Sequence, residues 1–202
     1  MSAAPREVEA MGDGAIRWLR DPLGDPRALL DALRALPGVL DAVVTEAHAL
    51  VTFDPSRPVP APWTAEEDLP RHRVSPAREH LVRARYDGPD LDEVAARTGL
   101  SRAEVVRAHA GAEYVVRVVG FLPGFAYLGP LPPALDLPRR ATPRPRVEPG
   151  SVAIAAAYTG VYPFASPGGW HLIGTALDFT PFEGEHGARF ALGDRVRFEE
   201  VR

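Results

Sequence analysis

The chain has 202 residues, 46% hydrophobic and 25% charged, a globular composition that excludes wholesale disorder. Its 23 basic and 27 acidic residues give a net charge of -4, so a broad nucleic-acid or anionic-membrane surface is not expected. Cysteine is absent, which removes disulfides, thiol nucleophiles, thiolate zinc sites and iron–sulfur clusters.

Residues 1–7 carry no apolar stretch of the kind a secretory signal needs, and no apolar run reaches the roughly 18–20 residues that span a bilayer. A cytoplasmic protein is therefore expected. Residues 15–20 read as a short strand. Asp25-Pro26 supplies an N-cap and a first-turn proline for a helix through Leu36, with Leu29, Leu30, Leu33 and Leu36 on one side. Pro37-Gly38 stops it. Residues 39–45 and 49–53 are two β-rich runs that form a hairpin. The proline- and charge-rich stretch 54–76 reads as a connection with one short helix at 64–69. A small β-α-β-β unit over residues 1–78 is the first expected domain.

The second, over residues 79–202, opens on an alternating strand at 80–86. Asp90-Leu91-Asp92-Glu93 and Ser101-Arg102-Ala103-Glu104 both have the form of a capping box, starting helices that run to about Thr98 and His109. Beyond them the texture changes. Residues 120–174 hold 8 Gly and 10 Pro, so about a third of the positions punctuate the backbone. Between the turns lie short β runs at 114–119, 151–157, 170–174, 188–192 and 195–201, the pattern of an all-β barrel or sandwich.

The sequence also contains no lysine, which excludes a Walker-type phosphate loop and Schiff-base chemistry. Any anion must be met by arginine, backbone N–H groups or a bound cation. Residues 138–146, PRRATPRPR, form a proline-stiffened strip with four arginines, and guanidinium forks held in place suit carboxylate or phosphate recognition. Solvated rim salt bridges are the other reading, and two functional arginines among the four are expected. The segment at 120–128, GFLPGFAYL, brings Phe121, Phe125 and Tyr127 near one Pro123-Gly124 bend, either as a hydrophobic plug or as a loop facing a ligand or partner. At 162–171, YPFASPGGWH, Gly168-Gly169 before Trp170 make a tight turn. Both a structural turn and an anion-binding loop fit it.

Ser151 lacks the second glycine of a nucleophile elbow and reads as a cap or a substrate hydrogen bond. The six histidines show no metal-ligand spacing, and no metal site is expected. His171, beside the Gly-Gly-Trp turn, is the better acid–base candidate. His109, at a helix end, reads as an imidazolium favoured by the helix dipole.

GFLPGFAYL, PRRATPRPRVEPGSVAIA and YTGVYPFASPGGWHLIG together resemble the allophanate hydrolase subunit 1 / KipI family, whose members include a component of bacterial ATP-dependent 5-oxoprolinase, its B-type chain. The resemblance is strong over residues 80–202 and rests on element order before that. It implies an α+β protein: an N-terminal ferredoxin-like α/β domain, then a cyclophilin-like β-barrel like subdomain C of a carboxyltransferase. The implied partners are a homologous second barrel subunit and an oxoprolinase A-type subunit. The implied reaction is ATP-dependent opening of 5-oxoproline to L-glutamate, with magnesium accompanying ATP and no tightly bound cofactor. Two other roles occur in the family: inhibition of a histidine kinase, through an aromatic surface around Phe121, Phe125 and Tyr127, and a part in urea or allophanate metabolism. On the oxoprolinase reading, Arg139, Arg144, Tyr162, Gly168, Gly169 and Trp170 hold substrate or phosphate, while Ser151 and His171 orient the substrate. The chain departs from the family where Glu148 precedes Pro149-Gly150-Ser151, and where Thr175 follows Gly174 in place of an arginine.

Overall fold

The computed structural model describes residues 8–20, 25–56 and 76–201. The chain divides into two compact units, Met1–Pro76 and Ala77–Arg202. The helix expected at 64–69 lies outside the described residues.

In the first unit, β1 (Val8–Ala10), β2 (Ala15–Leu19), β3 (Val39–Val44) and β4 (His48–Phe53) form one antiparallel sheet in the order β1-β2-β4-β3. The helix α1 (Pro26–Arg34) links β2 to β3, with β4 between them, which is the split β-α-β of a ferredoxin-like layer. The Asp25 carboxylate accepts from the N–H groups of Arg27 and Ala28, so the expected cap is in place. Period-2 alternation turns Trp18, Ala42, Val44, Ala49, Val51 and Phe53 into the core, with Leu29, Ala32 and Leu33 of α1 buried as well. The sequence reading missed β1, which pairs Val8 with Trp18 at the sheet edge.

The second unit is a closed barrel of seven strands. These are β5 (Glu79–Arg85), β6 (Glu113–Val119), β7 (Ala126–Gly129), β9 (Ser151–Ala155), β10 (Tyr158–Val161), β12 (His171–Ala176) and β15 (Arg195–Glu200), in the order β10-β7-β6-β15-β5-β12-β9. The barrel closes through the β9–β10 hairpin, and β15 runs parallel to β5 while the other pairs are antiparallel. Helices α2 (Leu91–Thr98) and α3 (Arg102–Ala110) sit between β5 and β6 in sequence. Outside the barrel, β8 (Arg144–Val147) pairs with β11 (Ser166–Gly168), and β13 (Phe182–Glu183) with β14 (Gly187–Ala188). Among the described residues no helix is long and apolar enough to cross a membrane.

Alternation along β9 explains where the site lies. Val152 and Ile154 join the main core with Val82, Val116, Leu128, Ile173 and Val196, and with Leu91, Val94, Val105 and Val106 of the helices. The interleaved Ala153 and Ala155 face the other way, into a second cluster with Phe125, Val147, Tyr162, Trp170 and Leu172. The barrel interior is therefore filled by side chains, as a small barrel must be. Its outer wall carries the second cluster.

Two capping expectations part company here. Ser101 and Glu104 complete a capping box on α3, but Asp90 makes no side-chain cap on α2. Of the run expected at 188–192 only Ala188, the second residue of β14, is in a strand. The strand expected at 151–157 ends at Ala155 and turns through Ala156, which sits at φ 47.

Candidate functional site

Above the second cluster lies an open cleft of about 170 Å³, lined by Phe121, Phe125, Tyr127, Arg139, Pro143, Tyr162, Pro167, Gly168, Gly169 and Trp170. Three separate segments meet there: the bend after β6, the arginine strip before and into β8, and the turn from β10 to β12. The floor is aromatic. Phe125, only 1% exposed, meets Phe121, Tyr127, Tyr162 and Trp170 edge to face at centroid distances of 5.5, 5.2, 5.3 and 5.4 Å. This packing needs Gly160: a Cβ there would stand 2.9 Å from Ala126 O and 3.2 Å from the Phe125 ring. Phe121 is held at φ 79 and is 60% exposed, so a strained backbone presents an aromatic side chain at the rim.

The polar groups are few. Burial pushes the Tyr162 phenol up, partly offset by the charge of Arg139, so it is a hydrogen-bond donor at neutral pH. Its oxygen occupies the space a Cβ on Gly168 would need, at 2.4 Å. Among the described residues Arg139 makes no hydrogen bond or ion pair, although the backbone on both sides of it is anchored. The Pro138 carbonyl accepts from His171 Nε2 at 3.0 Å, and the Arg140 N–H donates to Gly169 O at 2.8 Å.

The other three arginines of the strip are committed. Arg144 Nη2 and Arg140 Nη1 both donate to Asp90 Oδ1, at 2.6 and 3.0 Å, and Arg140 Nη1 also reaches Glu93 Oε2 at 2.8 Å. The Arg140 hydrogen bond holds the Glu93 carboxyl below the usual carboxylate range. Arg146 pairs with Glu148 at the surface. Asp90 is 3% exposed, and its Oδ2 accepts from the Leu172 N–H at 2.7 Å while its own N–H donates to Leu172 O at 3.0 Å. Sequence reasoning missed this residue. Asp90 resembles a helix cap locally, and its partners lie 50, 54 and 82 positions away, beyond any local pattern.

The structure thus brings Arg139, Tyr162, Gly168, Gly169, Trp170, Phe121, Phe125 and Tyr127 to one place. It does not bring the remaining candidates there. Arg144, expected to bind substrate, spends its charge on Asp90. His171, expected to orient substrate, is a fully buried ring whose Nε2 anchors Pro138, with Nδ1 unpartnered 3.9 Å from Glu93 Oε1. Ser151 opens β9 opposite Thr175 and does not line the cleft; its carbonyl accepts from the Tyr162 N–H at 3.0 Å. Pro123 and Gly124 shape the bend without lining the cleft; Gly124, at φ 80, lies against Pro181 and Phe182. An anion nest at Gly168-Gly169 is also absent: neither glycine has the positive φ a nest requires, and Gly168 instead pairs with Arg144 across β8 and β11. Of the expected aromatic docking surface, Phe121 is exposed and Tyr127 half-buried, while Phe125 is buried beneath them. Among the described residues no cluster of His, Asp or Glu is arranged to hold a metal.

The sequence over residues 21–185, a span containing every residue of the cleft, matches the family described as carboxyltransferase domain, subdomain C and D. The chain is 53% identical over 112 residues to the B-type chain of 5-oxoprolinase from Escherichia coli O157:H7, an alignment covering 55% of this chain and 51% of that protein. It is 52% identical over 116 residues to the corresponding 5-oxoprolinase chain of Bacillus subtilis (strain 168), covering 56% of this chain and 48% of that protein. The chain therefore spans about half the length of the curated relatives it matches. The crystal structure of TTHA0988 superposes with a TM-score of 0.80 at 39% identity, over 93% of this chain and 40% of that one.

Proposed function

Because this chain belongs to the carboxyltransferase domain, subdomain C and D, family, we propose that it serves as the B-type component of a 5-oxoprolinase, with its cleft holding the carboxylate of 5-oxoproline. One observation carries the reading. A single uncommitted guanidinium, the exposed Arg139, with its backbone anchored on both sides, lines the same cleft as the aromatic cluster and acts by its charge on the Tyr162 phenol. 5-Oxoproline is a small five-membered lactam with one carboxylate. Its ring suits an apolar floor, its carboxylate a guanidinium fork, and its lactam oxygen a phenol O–H.

The lactam is a resonance-stabilised amide, and its carbonyl oxygen needs activation before water can attack. In the proposed reaction the γ-phosphoryl group of ATP, accompanied by magnesium, passes to that oxygen as the ring N–H proton leaves. ADP leaves, water adds at the same carbon and the C–N bond breaks as the added water's proton passes to nitrogen, giving an acyl phosphate with a free amine, and a second water cleaves that acyl phosphate to glutamate and phosphate. The partners in this proposal are a homologous second barrel subunit and an A-type subunit. This chain contributes orientation and charge complementarity, which raise the rate by fixing the reacting atoms.

The test is ATP-dependent glutamate formation from 5-oxoproline by the chain expressed with those two partners. A charge-assisted hydrogen bond contributes about 1.5–3 kcal/mol, so Arg139→Ala is expected to raise KM for 5-oxoproline about 10- to 100-fold. Absence of activity with all partners present, or a normal KM in the Arg139 variant, overturns the proposal.

A further inference from the structure

Resting on the reading just given, that the cleft holds a small carboxylate, we infer that Asp90 sets the charge of the ligand: by reserving Arg140 and Arg144 it leaves one guanidinium on offer, so the cleft takes a monoanion in preference to a phosphate or nucleotide.

The charge balance is local. Asp90 and Glu93 neutralise Arg140 and Arg144, two carboxylates against two guanidinium groups, and Glu148 neutralises Arg146. Among the described residues Arg139 alone in the strip has no counter-charge. Both reserved arginines spring from backbone that adjoins the cleft. Arg144 stands opposite the cleft-lining Gly168 across β8 and β11, and Arg140 is bonded through its N–H to the carbonyl of the cleft-lining Gly169. Arg144 is close enough for its charge to act on the Tyr162 phenol. Its Nη1 is buried without a partner, so Asp90 is the group that balances it.

Asp90 is held for this task and not for capping. Its carboxylate makes no bond to the first turn of α2, and its Oδ2 is fixed by the Leu172 N–H of β12. Without the Asp90 charge, the cleft would feel one and then two further positive charges, a field that favours a second negative charge on the ligand.

The experiment is equilibrium dialysis of labelled 5-oxoproline against the assembled complex, with inorganic phosphate as competitor. The wild type is expected to bind 5-oxoproline more tightly than phosphate. Asp90→Asn keeps the shape and removes the charge; the ratio of the phosphate Kd to the 5-oxoproline Kd is expected to fall about tenfold. Glu93→Gln, on the exposed side of α2, is expected to lower the same ratio about two- to threefold through Arg140. Thermal melts accompany both variants, and if Asp90→Asn does not fold, Glu93→Gln decides. A wild type that prefers phosphate, or a ratio unmoved in the folded variants while 5-oxoproline binding still depends on Arg139, overturns the inference and leaves the proposed function standing. If 5-oxoproline does not bind, or binds equally to Arg139→Ala, the proposed function fails and takes this inference with it.

Discussion

His109 shows how a single buried residue converts into a solution property. Its Nε2 lies 2.8 Å from Thr159 Oγ1, which itself donates to Ala153 O, so Nε2 carries the proton. Nδ1 then accepts from the Tyr86 hydroxyl at 2.7 Å. The ring is fully buried, and desolvation lowers its pKa to about 3, whereas burial moves the Tyr86 phenol upward. The neutral ring is the folded form. Its stabilisation is complete above the unfolded pKa near 6.5 and is lost as pH falls from there towards 3, at about 1.4 kcal/mol per unit. Denaturant titrations at pH 6.5 and pH 5 are expected to show a loss of about 2 kcal/mol, with the imidazole NMR shifts of His109 still neutral at pH 5. A His109 that titrates near 6.5 in the folded protein contradicts this. At this scale the sequence showed where His109 sits, at the end of α3, but not its surroundings. Helix-end logic gave an imidazolium; Tyr86 and Thr159, 23 and 50 positions away, make it a neutral link in a hydrogen-bond chain.

The β9–β10 hairpin shows why some elements were legible and others were not. The first helix, the β3–β4 hairpin and the capping box of α3 carry their signals within a few residues, and each stands where the local pattern put it. The β9–β10 turn has no such signal, because Ala156-Ala157 holds neither Gly nor Asn and the strand reads straight through it. Ala156 adopts φ 47, where its Cβ crowds the backbone. Ala156→Gly is therefore expected to stabilise the protein by about 1 kcal/mol in denaturant titrations. A loss of stability would show the turn is not strained. The strand β8 was hidden for a related reason: its Arg-Pro-Arg-Val sequence has little β propensity, and pairing with β11 imposes the extended form. The cleft was legible in its parts, through the dense Gly, Pro and aromatic segments. Its charge pattern was not, because Asp90 reads as an ordinary cap.

At the scale of the whole molecule the two units have separate cores, and the cleft and its supporting network lie entirely in the second. Residues 77–202 expressed alone are expected to fold cooperatively, with heat-induced and denaturant-induced transitions that coincide by circular dichroism and by Trp170 fluorescence. A molten fragment would show that the barrel depends on the first unit. In this barrel β5 and β15 are parallel neighbours, and the Arg78 N–H donates to Asp194 Oδ1 across 116 positions of sequence. As the chain leaves the ribosome, β5 emerges early and its edge stays unzipped until β15 arrives at the seam. Closure therefore comes last and bears the entropic cost of a long loop, which makes assembly of the barrel slow and leaves the waiting edge open to mispairing with other nascent chains.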